Sequence, residues 1–270
     1  MTQSNQDKKA QVQDYFSRTA EGYVASFSHR SGADLLHLIE IGEWAPDQHA
    51  LDVATGGGHT ALAVAPHVGR ITVTDLTPRM LEQAQAYLAS QGATNAQFQE
   101  ADAEQLPFAD NSFDRVTCRI APHHFPNIAQ AVREITRVLK PGGIFLLIDS
   151  IAPSEPALDT FLNTIEKRRD GSHCRSCTLE EWHRFFMEAG LQVEYEELFR
   201  RPLQYDDWTK RSQLPTNEKA ALEKFILGQD EHTRTYFDVT QRVDGHLESI
   251  SNDYVLLKGR KKQANLAIIL

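Results

Sequence analysis

Apolar residues keep two rhythms along this chain. Between Gln11 and Trp44 they recur at helical spacing, first around Val12, Tyr15, Phe16, Thr19 and Tyr23, then as Leu35, Leu36, Leu38 and Ile39. Pro46-Asp47 breaks that spacing, and short apolar runs then alternate with helical ones. "ALDVA" reads as a strand and "HTALAVAPHV" as a helix. "RITVTDL" is a strand, followed by the helix "TPRMLEQAQAYLASQG" with Thr77 as N-cap, Pro78 at its first position and Gly92 just past its end. "NAQFQEAD" and "FDRVTCRI" predict two more strands, and "PNIAQAVREITRVLK" predicts a helix stopped by Pro141-Gly142-Gly143. "IFLLID" is apolar on both faces, as a buried central strand is. Strand and helix in alternation predict an α/β, doubly wound parallel sheet. Ligands on such sheets bind beyond the carboxyl ends of the strands.

The second half changes rhythm. Residues 154–190 are mostly helical, interrupted by "RDGSHCRSC", and "LQVEYEELF" is a strand. Residues 205 to about 240 are polar and helical before a last strand, "NDYVLLKGRK". Residues 1–9 are expected to be a disordered tail and 263–270 a C-terminal tail, around a single domain, 10–262. At 270 residues and 41% apolar, the chain is long enough to bury a sizeable core. A formal charge of −9 argues against nucleic acid and anionic membrane surfaces, both of which need clustered cations. No run of about 18 apolar residues predicts a membrane span, and the polar N-terminus is unlike a secretion signal. Three cysteines make no secreted disulfide framework, so a cytoplasmic location is expected, as monomer or homodimer.

Chemistry enters at "LDVATGGG". Asp52, Ala54, Thr55, Gly56 and Gly58 follow the first strand, where glycines allow positive φ and close approach of a ligand to backbone. A Walker loop is excluded because no Gly-Lys-Ser/Thr follows, and the dinucleotide fingerprint fits only with Ala61 in third place. Asp75, at the end of the second strand, is placed to accept the hydroxyls of an adenosine ribose, which suits NAD and S-adenosylmethionine (SAM) equally. Asp102, ending the third strand, is placed to accept the adenine amino group, with the Ala103 backbone N–H beside it. No cation stands near for a pyrophosphate, and carboxylates favour a sulfonium, so the balance falls to SAM.

The stretches "LDVATGGGHTA", "TVTDLTPRML", "EADAEQLPFADNSFDRVTCRIAPHHF" and "RVLKPGGIFLLID" together resemble the successive motifs of class I SAM-dependent methyltransferases. Within that class the chain is similar to the branch of the ubiquinone/menaquinone biosynthesis C-methyltransferases, and closer to uncharacterised bacterial small-molecule methyltransferases. "RIAPHHFPN", "EKRRDGSHCRSCTLEEW" and "DWTKRSQLPTNEKAALEKFI" carry that likeness over nearly the whole chain. Ala54 departs from the glycine usual at its position. The resemblance implies a seven-stranded sheet of order 3-2-1-4-5-7-6 with strand 7 antiparallel, an N-terminal helical cover over 10–44, and helical insertions at 151–178 and 203–245. It also implies that Leu76 and Met80 line the adenosine site and that Arg119 lies near the methionine portion. SAM is then the cofactor, S-adenosylhomocysteine (SAH) the product, and a small molecule the acceptor.

Methyl transfer needs an aligned acceptor and, where the acceptor carries a proton, a base. His123 or His124, after the fourth strand, suits that role, and the sequence does not choose between them. Arg168, Arg169 and His173 are candidates to hold an anionic or carbonyl group of the acceptor, and Tyr15 and Tyr23 to cover it. Cys174-x-x-Cys177 lacks a second pair, so no metal is expected. An NAD-dependent oxidoreductase and a non-catalytic SAM-binding module are the competing readings.

Overall fold

The computed structural model describes residues 4–24 and 32–263, the side chains of 19–24 excepted. The apolar runs become strands β1 (His49–Asp52), β2 (Arg70–Asp75), β3 (Ala96–Glu100), β4 (Phe113–Arg119), β5 (Leu139–Ile151), β6 (Leu191–Gln204), β7 (Thr240–Gln241) and β8 (Leu247–Lys261). They pair in the order β3-β2-β1-β4-β5-β8-β6. The first five are mutually parallel, while β8 runs antiparallel to both β5 and β6. The long strands thus take the expected order, with β8 in the place of the seventh. Two-residue β7 pairs with β8 in addition, and a pair that short leaves no alternation for a sequence to show.

Alternating side chains send each strand's residues into two cores, one on each face of the sheet. Leu51 and Val53 face one core with Phe145 and Leu147, while Ala50 faces the other with Ile144, Leu146 and Ile148. The first core is covered by α5 (Ile128–Val138) and α7 (Leu179–Ala189). In α5 the buried positions Ile128, Ala131, Val132 and Ile135 recur at helical spacing. Thr178 and Glu181 close a capping box at the start of α7, and Gly190 ends it in the left-handed conformation. The second core is covered by α2 (Ala33–Ile41), α3 (His59–Val64) and α4 (Pro78–Ser90). Pro66 explains why α3 stops at Val64 and tightens into a single 3-10 turn over Ala65–His67. A third core joins α6 (Pro156–Arg169) to α8 (Tyr205–Arg211), α9 (Thr216–Leu227) and α10 (Glu231–Tyr236), through Phe161, Leu162, Trp208, Ile226 and Phe237.

The N-terminus differs from the expectation. Helix α1 spans Asn5–Val24, so most of the supposed tail is helical. Ser4 Oγ accepts the Asp7 N–H while the Asp7 carboxylate accepts the Ser4 N–H, a reciprocal cap. Lys9 then ties the helix to Asp102 and Glu104, each at 2.6 Å. Most of the expected C-terminal tail, 264–270, lies outside the described residues. Among the described residues no helix is long and apolar enough to cross a membrane.

Candidate functional site

A cavity of about 270 Å³ opens at the carboxyl ends of β1 to β4, where the strand order reverses about β1. The backbone of residues 54–57 forms one wall. Ala54 (φ 53°) and Gly56 (φ 55°) both stand in the left-handed region. For an alanine that costs roughly 1–2 kcal/mol, which the surrounding bonds outweigh. The Thr55 N–H donates to the Thr74 carbonyl (2.8 Å), and Thr55 Oγ1 donates to Asp52 (2.6 Å). Around Gly56 a Cβ would meet Met80 Cε at 3.6 Å, so this wall lies open to a ligand.

Two members of the expected set do not reach the cavity. Gly58 (φ 82°) turns toward α4, where a Cβ would stand 2.7 Å from Leu88 Cδ1 and 3.1 Å from Ala84 Cβ. Its role is close helix packing. Asp52 is 1% exposed beneath the wall and accepts hydroxyls from Thr55 and Thr117, both at 2.6 Å. Burial pushes its carboxyl up to about 6. It braces the loop from below.

Asp75, Leu76, Met80, Asp102 and Ala103 do line the cavity. The two oxygens of Asp75 accept one N–H each, from Gly56 (3.0 Å) and Thr77 (2.9 Å). Each keeps a further acceptor site, which suits paired hydroxyls. Burial raises this carboxyl to about 6 as well. Asp102 is not open in the way the sequence suggested, because Lys9 Nζ lies 2.6 Å from it. Helix α1 roofs this end with Lys9, Val12 and Phe16, and Gln13 donates to the Leu76 carbonyl at 2.8 Å.

At the other end stand His123 and His124, with rings 4.2 Å apart, in the 3-10 turn after β4. Ile120 enters that turn at φ 54°, a costly conformation for a β-branched residue, with its N–H on the Ile148 carbonyl at 2.7 Å. Asp149, near the end of β5, takes both the His123 N–H (2.9 Å) and Nδ1 (2.6 Å). The carboxylate therefore sets the tautomer, with Nδ1 protonated and Nε2 left as the basic nitrogen. Burial pulls the His123 pKa down, but the charge and hydrogen bond of Asp149, helped by Glu166 and Asp170, outweigh it and the net shift is upward. His124 is pushed down to about 3, by burial first and by His123 second. Its Nδ1 lies 3.1 Å from Ser172 Oγ. The geometry separates two histidines that the sequence left equal.

The far wall is basic, with Arg119, Arg169, Arg201 and Arg211 facing the cavity beside Trp208 and Tyr254. The premise that no cation stands near was therefore wrong, because the arginines come from strand ends and helices remote in sequence. Arg168 is exposed and lies over the Phe225 ring, 3.9 Å from its centre, outside the cavity. His173 sits behind His123, 1% exposed, with Nε2 3.0 Å from the Asn163 side-chain oxygen. Tyr15 is buried edge-on against Phe16, and it is Phe16 that lines the cavity. The Tyr23 side chain lies outside the described residues. Cys174 and Cys177 are free thiols, and no group of three metal-ligating side chains occurs among the described residues.

Residues 51–147 match the family described as a methyltransferase domain. The uncharacterized methyltransferase YcgJ of Bacillus subtilis (strain 168) is 37% identical over 92% of this chain and 98% of its own length. This chain belongs to the class I SAM-dependent methyltransferases. The crystal structure of YcgJ superposes on this methyltransferase with a TM-score of 0.84 at 36% identity, covering 87% of this chain and all of the other. The ubiquinone/menaquinone biosynthesis C-methyltransferase UbiE of Brucella abortus (strain S19) is 34% identical over 57% of this chain and 61% of its own.

Several residues that line or back the methyltransferase cavity were missed from sequence. Asp149 had a visible signal, an acid closing the central apolar strand at the ligand-binding edge. Lys9, Arg201 and Arg211 had none, because only the docking of α1, β6 and α8 brings them to the cavity.

Proposed function

We propose that this methyltransferase moves a methyl group from SAM to a small-molecule acceptor, with His123 as the general base. One observation supports this above the others. A single cavity holds groups suited to an adenosine, the Asp75 carboxylate as acceptor and Ala103 for its backbone N–H, and a histidine backed by a carboxylate, His123 with Asp149. Ala54, Thr55, Gly56, Leu76, Met80 and Asp102 line its adenosine end. SAM supplies a sulfonium whose methyl is open to in-line attack.

The chain's own groups do the rest. Asp75 offers two buried oxygens to hydroxyl donors, and the glycine wall lets backbone approach closely. Helix α1, held by Lys9, excludes water from above. An acceptor bearing a proton would give it to Nε2 of His123 as its new bond to the methyl carbon forms and the carbon–sulfur bond breaks, the electron pair staying on the sulfur of the departing SAH. Asp149 holds the resulting imidazolium. Calorimetry with SAH tests the binding half of the reading, and a dissociation constant unmoved by Asp75→Ala would remove the ribose assignment. Incubation with methyl-labelled SAM and a small-molecule extract tests the other half. A labelled product formed by the parent and absent with His123→Ala is the expected result.

A further inference from the structure

The "DGSHCRSC" segment after α6 is built onto the turn that carries the two histidines. The Cys174 and Arg175 N–H groups both donate to the His123 carbonyl, at 2.8 and 3.1 Å, and Cys174 Sγ donates to the His124 carbonyl at 3.2 Å. Asp170 opens this segment fully buried and accepts both the backbone N–H (2.8 Å) and the hydroxyl (2.5 Å) of Ser172. The same hydroxyl oxygen lies 3.1 Å from Nδ1 of His124.

Charge decides where the protons of this chain sit. Burial opposes ionisation of Asp170, but His124, Arg169 and the bonds from Ser172 outweigh it and bring its carboxyl down to about 2. An ionised carboxylate only accepts, so the Ser172 hydroxyl donates to Asp170 and its oxygen accepts from His124. That fixes the proton of His124 on Nδ1 and leaves Nε2 an acceptor. The ring stays neutral near pH 7, because burial and His123 push its pKa down to about 3. Phe16 meets it edge-on, with ring centres 4.9 Å apart, and holds its plane. The two nitrogens of an imidazole point away from one another, and His124 lines the cavity beside His123. Asp149 fixes the tautomer of His123 in the same sense, so two imidazoles with centres 4.2 Å apart carry the same free nitrogen. A buried acceptor left without a donor is costly, which favours a ligand with a donor for each.

We propose that His124, positioned by Ser172 and Asp170, accepts a hydrogen bond at Nε2 from a second O–H or N–H of the methyl acceptor, next to the group that His123 deprotonates. The acceptor is then a molecule with two neighbouring donors, of which one is methylated. The proposal rests on the reading of His123 as the base in this cavity. Two measurements on the full chain test it. Nitrogen-15 spectra of the histidine-labelled chain, with the His124 signals identified by their loss in His124→Phe, should show Nδ1 protonated and Nε2 bare near neutral pH. Ser172→Ala should bring the two His124 shifts toward each other as the tautomers mix. Calorimetry on the chain saturated with SAH then compares catechol with phenol. Catechol should bind about fivefold more tightly, and His124→Phe should remove the difference while retaining SAH, which also shows that it folds. A proton on Nε2, shifts unmoved by Ser172→Ala, or equal binding of the two probes overturns the proposal, as does a preference that survives in His124→Phe. If His124→Phe loses SAH, Ser172→Ala takes its place in the comparison. Methyl transfer that survives His123→Ala strikes the base reading instead and leaves the spectra and the probe comparison standing. Failure of SAH to bind the parent chain strikes the cofactor reading, and both measurements are then made on the chain without SAH.

Discussion

Asp75 serves the loop and the cavity with one carboxylate. Its two N–H partners hold the backbone, and the residue lines the cavity. Removing it with Asp75→Ala should weaken SAH binding by about 1.5–3 kcal/mol in calorimetry. Because burial raises its pKa to about 6, SAH affinity should fall as the pH is lowered through that value, and Asp75→Asn should abolish the dependence. In the free chain the same shift acts on folding with a defined sign. The stability it contributes is full below 3.8 and lost as pH rises through about 6. His123 has its pKa raised, so its basic form gains population as pH climbs through that raised value. His123→Ala should lower kcat by roughly 10²–10⁴-fold with SAH binding intact. Asp149→Asn removes the stabilised imidazolium, so the ascending limb of the pH–rate profile should move to lower pH. A merely structural Asp149 would lower kcat and leave the limb in place.

Among the elements, α1 and the turn into α3 show how local signals become placement. The cap at Ser4 starts α1 early, but the ion pairs of Lys9 give that helix its position over Asp102. Gly58 does the reverse, since a residue read as a ligand contact sets the distance between α3 and α4. Gly58→Ala places a methyl 2.7 Å from Leu88 and keeps a positive φ. Thermal unfolding should show a loss of about 1–3 kcal/mol from this one methyl. Strand β5 was legible because its apolar run is continuous. Strand β7 was not, because two exposed residues carry no pattern.

Across the whole molecule, Asp34 joins three distant parts of the chain. From α2 it binds Arg119 at the end of β4 and Arg201 on β6, and its side chain is 1% exposed. Burial alone would raise its carboxyl, but the two arginines hold it below its ordinary value. The stability it contributes is therefore present above 3.8 and lost as pH falls through the depressed value. Asp34→Ala leaves Arg119 and Arg201 without this buried partner, so chemical denaturation should show a loss of about 3–5 kcal/mol. The same cluster underlies the polarity of the cavity, acidic at one end and basic at the other.

The sequence by itself determined the α/β architecture, the strand order through its family resemblance, and part of the cavity lining, including Asp75, Met80, Asp102 and Ala103. These lie close behind strand ends, where local pattern and position in the sheet are the same information. Only the tertiary structure decided which histidine has a carboxylate behind it, that Asp52 and Gly58 brace the wall from outside, and which arginines line the cavity. Those outcomes depend on how α1, α2, β6 and α8 dock, contacts between residues far apart in the chain. No periodicity or spacing records them, because they follow from packing over the whole core.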